Sequence, residues 1–303
     1  LPREKSEDDL DFPTHAAVSG GQARRQEGPL MRKTILAAAL AGLALPPAAL
    51  AEEQVVCMIA VNPAVSVPLI HEGACDERIS SASTFKVAIS LMAFDAGIFT
   101  APDAPEWPFK EGYADWNPRW KRATTPESWM RDSVVWYSQR ATEQLGMARF
   151  AAYVDAFDYG NRDVSGDKGK GNGLTQAWLS SSLQIAPIEQ VGFLTRMIEG
   201  RLPVSAAAVA HTKDLLDQGE RAGGWHIYGK TGAGLPFGPD GALLKGQPFG
   251  WYVGWAEKGS ERIVFARLIR FSERPDGAPG AIARDGAMRA LFPPDGDGEL
   301  TRP

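Results

Sequence analysis

Ser83-Thr84-Phe85-Lys86 places a hydroxyl and an amine three residues apart, at the head of the apolar run Val87 to Phe94. Positions i and i+3 share a helical face, so the amine can reach the hydroxyl. Serine is a weak nucleophile without a neighbouring base, and a lysine near its ordinary pKa of ~10.4 is charged and cannot act as one. Burial removes that obstacle by disfavouring the charged form. Phe85, Val87, Ala88 and Ile89 predict such a dry setting for Lys86. A second Ser-x-x-Lys, Ser165-Gly166-Asp167-Lys168, stands among Gly169, Gly171 and Gly173. A glycine-rich loop holds no rigid pair, which favours Ser83 as the nucleophile.

A second group of polar residues, Lys230-Thr231-Gly232, closes the strand-like run that starts at Trp225. Glycine in a strand lets another backbone or a ligand approach closely, while the lysine and threonine offer a cation and a hydroxyl to a carboxylate. The stretch Gly224 to Thr231 also satisfies the spacing of a phosphate-binding loop. Such a loop requires a strand before it and a helix after it. The approach, Asp217 to Ala222, is polar, and Gly232-Ala233-Gly234-Leu235-Pro236 cannot begin an ordinary helix, so nucleotide binding is not expected. Neither a Gly-x-Ser-x-Gly elbow nor a His-Glu-x-x-His pair occurs, which leaves a histidine-triad hydrolase or a zinc enzyme without support.

These residues need a scaffold. Gln54 to Val61 is β-branched and apolar enough for a buried strand, and His71 to Ser83 reads as turn-like. A helix is expected from Thr84 to Ala96, stopped by Gly97. Ala101 to Trp120 reads as an ordered loop rich in Pro and Trp. Thr125-Pro126 caps a helical run over Glu127 to Leu145, with Trp129, Met130, Val134 and Tyr137 on one stripe. Further helices are expected over Met147 to Phe157 and over Leu183 to Leu202. Trp225 to Lys230, Trp251 to Trp255 and Ile263 to Ile269 read as strands, and Ala281 to Leu291 as a closing helix. The pattern predicts an α+β fold: an antiparallel β-sheet flanked by helices, with an inserted all-helical subdomain. The expected single domain covers 52–303, with a mixed part at about 52–85 and 203–303 and a helical part at about 86–202.

A net charge of −5 gives no basic surface for nucleic acid, so no nucleic-acid partner is expected. Met31-Arg32-Lys33, an apolar run over Thr34 to Leu45 and small residues up to Ala51 read as a signal peptide over 31–51. Residues 1–30 would then be an upstream extension. The apolar run is short for a membrane span and is followed by Pro46-Pro47, so the mature chain is expected in the periplasm without a span. There, Cys57 and Cys75 could form a disulfide worth roughly 3 kcal/mol. Two buried thiols are the alternative.

Taken together, Ser83-x-x-Lys86 and Lys230-Thr231-Gly232 resemble the motifs of serine β-lactamases and penicillin-binding proteins. Between them, Ser133-Val134-Val135 and Tyr159-Gly160-Asn161 are similar to the Ser-x-Val and Tyr-Gly-Asn motifs of class D β-lactamases, the oxacillinases. The resemblance covers about residues 54–291. It implies the serine β-lactamase and penicillin-binding transpeptidase fold, hydrolysis of penicillins, oxacillin-type compounds and some cephalosporins, and antibiotic resistance. By the same resemblance Ser83 is acylated, and Lys86 is the general base for both half-reactions as an N-carboxylated lysine. Carbon dioxide is then the only cofactor, with no metal. Trp178 would hydrogen-bond the carbamate, and Phe85, Val135 and Leu179 would keep Lys86 dry. Ser133, beside Lys230, would relay a proton to the leaving nitrogen, and the backbone donors of Ser83 and Ala233 would form the oxyanion hole. Lys230, Thr231 and an arginine would bind the substrate carboxylate, with Gly232, Val135 and Leu179 also lining the substrate; Arg284 is the candidate arginine, with Arg267 and Arg270 as alternatives. The chain would act as a monomer or homodimer. A penicillin-sensing domain or a DD-peptidase shares these motifs but stays acylated.

Overall fold

The computed structural model describes residues 52–293 except Ser66, Ala222 and Pro239. The expected upstream extension and signal peptide lie outside the described residues, as do residues 294–303. In chain order the elements are β1 (Glu53–Val61), β2 (Ile70–Gly73), β3 (Ile79–Ser80), a 3-10 turn (Ala82–Phe85), α1 (Lys86–Asp95), α2 (Pro126–Asp132), α3 (Val135–Ala156), α4 (Gly173–Gln176), β4 (Gln184–Ile185), α5 (Pro187–Ile198), α6 (Ala206–Leu216), β5 (Asp217–Arg221), β6 (Trp225–Gly234), β7 (Phe249–Lys258), β8 (Glu261–Phe271) and α7 (Pro279–Leu291).

Six strands form one antiparallel sheet in the order β2-β1-β8-β7-β6-β5. The alternation of side chains along each strand divides the core in two. Met58, Tyr252, Phe265 and Ile269 face α7 and pack on its Ala283, Ala287 and Leu291. Cys57, Ile59, Trp251, Val253 and Trp255 face the opposite way, into the larger core that holds the other helices. In α1 every residue from Lys86 to Phe94 is buried. A helix buried on all sides must be apolar all round, and this one is, apart from Lys86 and Ser90. The α+β architecture with an antiparallel sheet is therefore as expected.

Several boundaries differ from the sequence reading, each for a local reason. The turn before α1 is 3-10, so the helix proper starts at Lys86 rather than Thr84. The run Glu127 to Leu145 is broken: α2 is capped by the reciprocal Thr125–Ser128 pair and ends at Ser133, whose φ of 56° is left-handed. The run then resumes as α3 and passes through Gly146, at φ 73°, into the segment expected to be a separate helix. Of Leu183 to Leu202 only α5 is helical, because Gln184 and Ile185 pair with β3 and Pro187 favours the first turn of a helix. The helix α6, beyond the expected helical part, and the strands β2 and β5 carried too weak a pattern to be foreseen. Since β5 does precede the Gly224 stretch, the expectation that no strand comes before it is corrected. No helix follows, however, because Trp225 to Gly234 is itself β6.

Cys57 in β1 and Cys75, just after β2, are joined in a disulfide. No helix among the described residues is long and apolar enough to cross a membrane.

Candidate active site

The nucleophile candidate sits on a strained turn. Ala82 has a φ of 47°, a conformation that L-residues adopt only where their surroundings enforce it. Two hydrogen bonds close the turn onto the Ser81 carbonyl, one from the Thr84 amide (3.1 Å) and one from the Thr84 hydroxyl (2.6 Å). Ser83 is half-buried between them. One turn further, the fully buried Lys86 donates from Nζ to Ser83 Oγ at 3.4 Å. Burial, reinforced by the like charge of Lys230, holds the Lys86 amine well below the ordinary lysine range. A buried amine of that kind is neutral and available as a base.

Ser133 and Lys230 meet opposite this turn. The break between α2 and α3 presents the Ser133 hydroxyl, which accepts a 3.1 Å hydrogen bond from Lys230 Nζ. Lys230 also donates to the Thr231 carbonyl at 3.0 Å, and burial pushes its pKa down to about 8. Gly232 allows β6 to come this close to the candidate nucleophile. A Cβ at that position would lie 3.1 Å from Thr84 Cγ2, 3.2 Å from Thr84 N and 3.3 Å from Ser81 O. Thr231 points to the other face, where a Cβ on Gly280 of α7 would come within 3.0 Å of its own Cβ. Ala233, next along β6, is exposed.

An apolar wall closes the buried side. Trp178 is fully buried, with its ring centroid 5.5 Å from that of Phe85, and its indole Nε1 has no hydrogen-bond partner. Val135 is buried and Leu179 packs partly buried against the same core. Sequence reasoning missed the residue that holds this wall, Ser80. Its hydroxyl donates to the Trp178 carbonyl (2.8 Å) and accepts from the Ser180 amide (2.9 Å), while its carbonyl accepts from Trp251 Nε1 (3.0 Å). Ser180, also left-handed at φ 48°, accepts from the Leu235 amide at 3.1 Å. No motif marks either serine, since both act through contacts distant in the chain.

The expected arginine is not brought to this cluster. Arg284 is paired with its neighbour Asp285 at 2.9 Å on α7, and its charge acts on Tyr252, a residue of the α7-facing core. Lys230 faces the opposite side of the sheet. The alternatives are engaged as well, Arg267 with Glu53 and Arg270 with Glu77. The second Ser-x-x-Lys forms no pair, as Ser165 and Lys168 are both exposed.

The penicillin-binding protein transpeptidase domain family matches residues 52–288. The β-lactamase OXA-9 of Klebsiella pneumoniae is 42% identical over 243 residues, covering 79% of this chain and 88% of that protein. The crystal structure of the class D β-lactamase OXA-427 superimposes with a TM-score of 0.74 at 46% identity, covering 78% of this chain and 96% of that one. The chain belongs to the class D β-lactamases. OXA-1 of Escherichia coli is a further relative, 39% identical over 201 residues that make up 66% of this chain and 69% of its own. As a class D β-lactamase the protein is a β-lactam hydrolase, and these three relatives favour turnover over the sensing and peptidase readings.

Proposed function

We propose that Ser83 is the residue acylated by the β-lactam and that Lys86, carboxylated by carbon dioxide, is the base for forming and hydrolysing the acyl-enzyme. The observation that carries this reading is the buried Lys86 amine 3.4 Å from Ser83 Oγ, with Trp178 Nε1 buried and unpaired in the adjoining wall. A buried donor without an acceptor is costly, so a carboxylate oxygen on Lys86 suits that wall. The neutral amine is the form that reacts with carbon dioxide, and the product supplies a carboxylate-like base.

In this reading Ser83 Oγ loses its proton as it bonds to the lactam carbonyl carbon. The charge that develops on the carbonyl oxygen falls to the backbone N–H groups of Ser83 and Ala233. As the C–N bond breaks, the nitrogen takes a proton from Ser133 Oγ, whose partner Lys230 can replace it. A pKa of about 8 for Lys230 allows that exchange near neutral pH. Lys230 attracts the substrate carboxylate and Gly232 provides room for it along β6, while Thr231, turned to the α7 face of the strand, would meet the carboxylate from the other side. Substrates would be penicillins, oxacillin-type compounds and some cephalosporins. A periplasmic location after removal of 31–51 agrees with the Cys57–Cys75 disulfide, which an oxidising compartment maintains.

The test is the steady-state rate on a chromogenic cephalosporin, with and without bicarbonate, for the wild type and Lys86→Ala. Many turnovers that rise with bicarbonate, and none in Lys86→Ala, are expected. A single stoichiometric burst from the wild type would make the protein a sensor or peptidase. Full turnover by Lys86→Ala would remove the lysine from its role.

A further inference from the structure

The nucleophile turn is tied to α5 by one buried side chain that no catalytic motif includes. Gln190 is 1% exposed, and its Nε2 lies 2.8 Å from Thr84 Oγ1. The Thr84 hydroxyl carries a single proton, and Ser81 O, 2.6 Å away, can only accept. That proton is therefore committed to Ser81 O, and Gln190 must present its amide N–H₂ to the threonine oxygen. Thr84 is thus held by Gln190 on α5, with the buried Tyr159 hydroxyl beside both, and it lies against β6 where Gly232 has no side chain. Within the span it closes lie left-handed Ala82 and Ser83.

We propose that Gln190 is a positioning residue for acylation, fixing the Ser83 hydroxyl through Thr84 without touching substrate. This rests on the reading of Ser83 as the acylated residue. A non-glycine residue at a φ of 47° keeps that conformation only while its surroundings over-determine it. With the amide removed, Thr84 can rotate its hydroxyl away from Ser81 O. The turn then relaxes, and Ser83 Oγ leaves the geometry in which Lys86 reaches it. A displacement of about 1 Å in a reacting group costs on the order of a hundredfold in rate.

The experiment compares Gln190→Met, Thr84→Val and Thr84→Ser with the wild type by rapid mixing with a chromogenic cephalosporin, so that initial binding and acylation are read separately. Met197→Ala, a buried substitution on the same helix, is the control for simple loss of stability. Acylation is expected to fall about ten- to a hundredfold in Gln190→Met and Thr84→Val, with initial binding unchanged. Thr84→Ser, which keeps the hydroxyl, should recover most of the rate. The double variant Gln190→Met/Thr84→Val should be no slower than either single one, because both break the same link. Acylation within twofold of wild type in Gln190→Met overturns the proposal, as does a loss no larger than that of Met197→Ala at equal melting temperature. If Gln190→Met does not fold, the contrast between Thr84→Val and Thr84→Ser decides, and equal rates in those two overturn it. Peptide mapping of the acyl group separates the two levels. An acyl group elsewhere than Ser83 refutes the catalytic reading, whereas Ser83 acylated at an undiminished rate in the variants refutes only the role of Gln190.

Discussion

Replacing Lys230 by methionine should make this enzyme more stable while it loses activity. With its pKa pushed from the ordinary 10.5 to about 8 by burial, the charged amine is disfavoured in the folded state by about 3 kcal/mol. Methionine fills a similar volume and carries no charge. It leaves the half-buried Ser133 hydroxyl and the Thr231 carbonyl without their donor, which offsets about 1 kcal/mol of the gain. A net stabilisation of about 2 kcal/mol at pH 7 corresponds to a rise of about 4–8 °C in melting temperature for a domain of this size. The pH dependence gives the check its force. Between about pH 8 and 10.5 the unfolded wild type holds a proton on Lys230 that the folded form has released, so wild-type stability rises with pH across that window. The advantage of Lys230→Met should shrink over the same range, vanish near pH 10 and reverse above it, where only the lost hydrogen bonds remain. Lys86 is present in both proteins and largely cancels from the comparison. Thermal melts at pH 7, 8.5 and 10 would read it directly. A variant that melts at or below wild type at pH 7, or an advantage independent of pH, would refute the reasoning.

Three further outcomes follow from the same geometry. Trp178→Phe should lose most activity and regain part of it in bicarbonate, since the phenyl ring keeps the wall but not the donor; no response to bicarbonate would make the indole a core residue only. Gly232→Ala introduces a methyl 3.1–3.3 Å from Thr84 and Ser81 O. It should cost about 1–3 kcal/mol of stability and lower kcat/KM at least tenfold by moving β6 off the nucleophile turn, and an unchanged kcat/KM would show that the turn can yield. Arg284→Ala should leave kcat/KM within about twofold, because an exposed pair such as Arg284–Asp285 contributes little; a hundredfold fall would mean that the guanidinium turns toward substrate.

The sequence singled out Ser83, Lys86, Ser133 and Lys230 because they lie in short, recognisable motifs, and the structure brings them together as two hydrogen-bonded pairs. The sequence also made the strongly patterned strands β1, β6, β7 and β8 legible, each a run of β-branched and aromatic residues. Ser133 is an instructive case. Its pairing with Lys230 was readable from the motif, yet the left-handed break that presents it was not, since Glu127 to Leu145 keeps an unbroken helical pattern. Arg284 is a different case: distance along the chain suggested it, but the structure pairs it with Asp285 on α7, on the side of β6 that Thr231 faces. Ser80, Ser180 and Gln190 were invisible because their hydrogen-bond partners lie 55 to 106 residues away. No local pattern records such contacts.

Three glycines govern how movement would travel through this molecule. Cβ atoms added at Gly250, Gly280 and Gly232 would lie 2.2 Å from the Pro279 carbonyl oxygen, 2.7 Å from the Gly232 carbonyl oxygen and 3.1 Å from Thr84 respectively. From the start of α7 to β6 main chain rests on main chain, and only the Thr84 methyl and amide stand between Gly232 and the Ser83 turn. Side chains cushion displacement by changing rotamer, and here they are nearly missing from the path. A shift of a few tenths of an ångström at the head of α7 would therefore reach the Ser83 turn almost undamped. In this packing α7 is a buttress behind β6, so a change at its first turn is expected to be felt at the Ser83 turn.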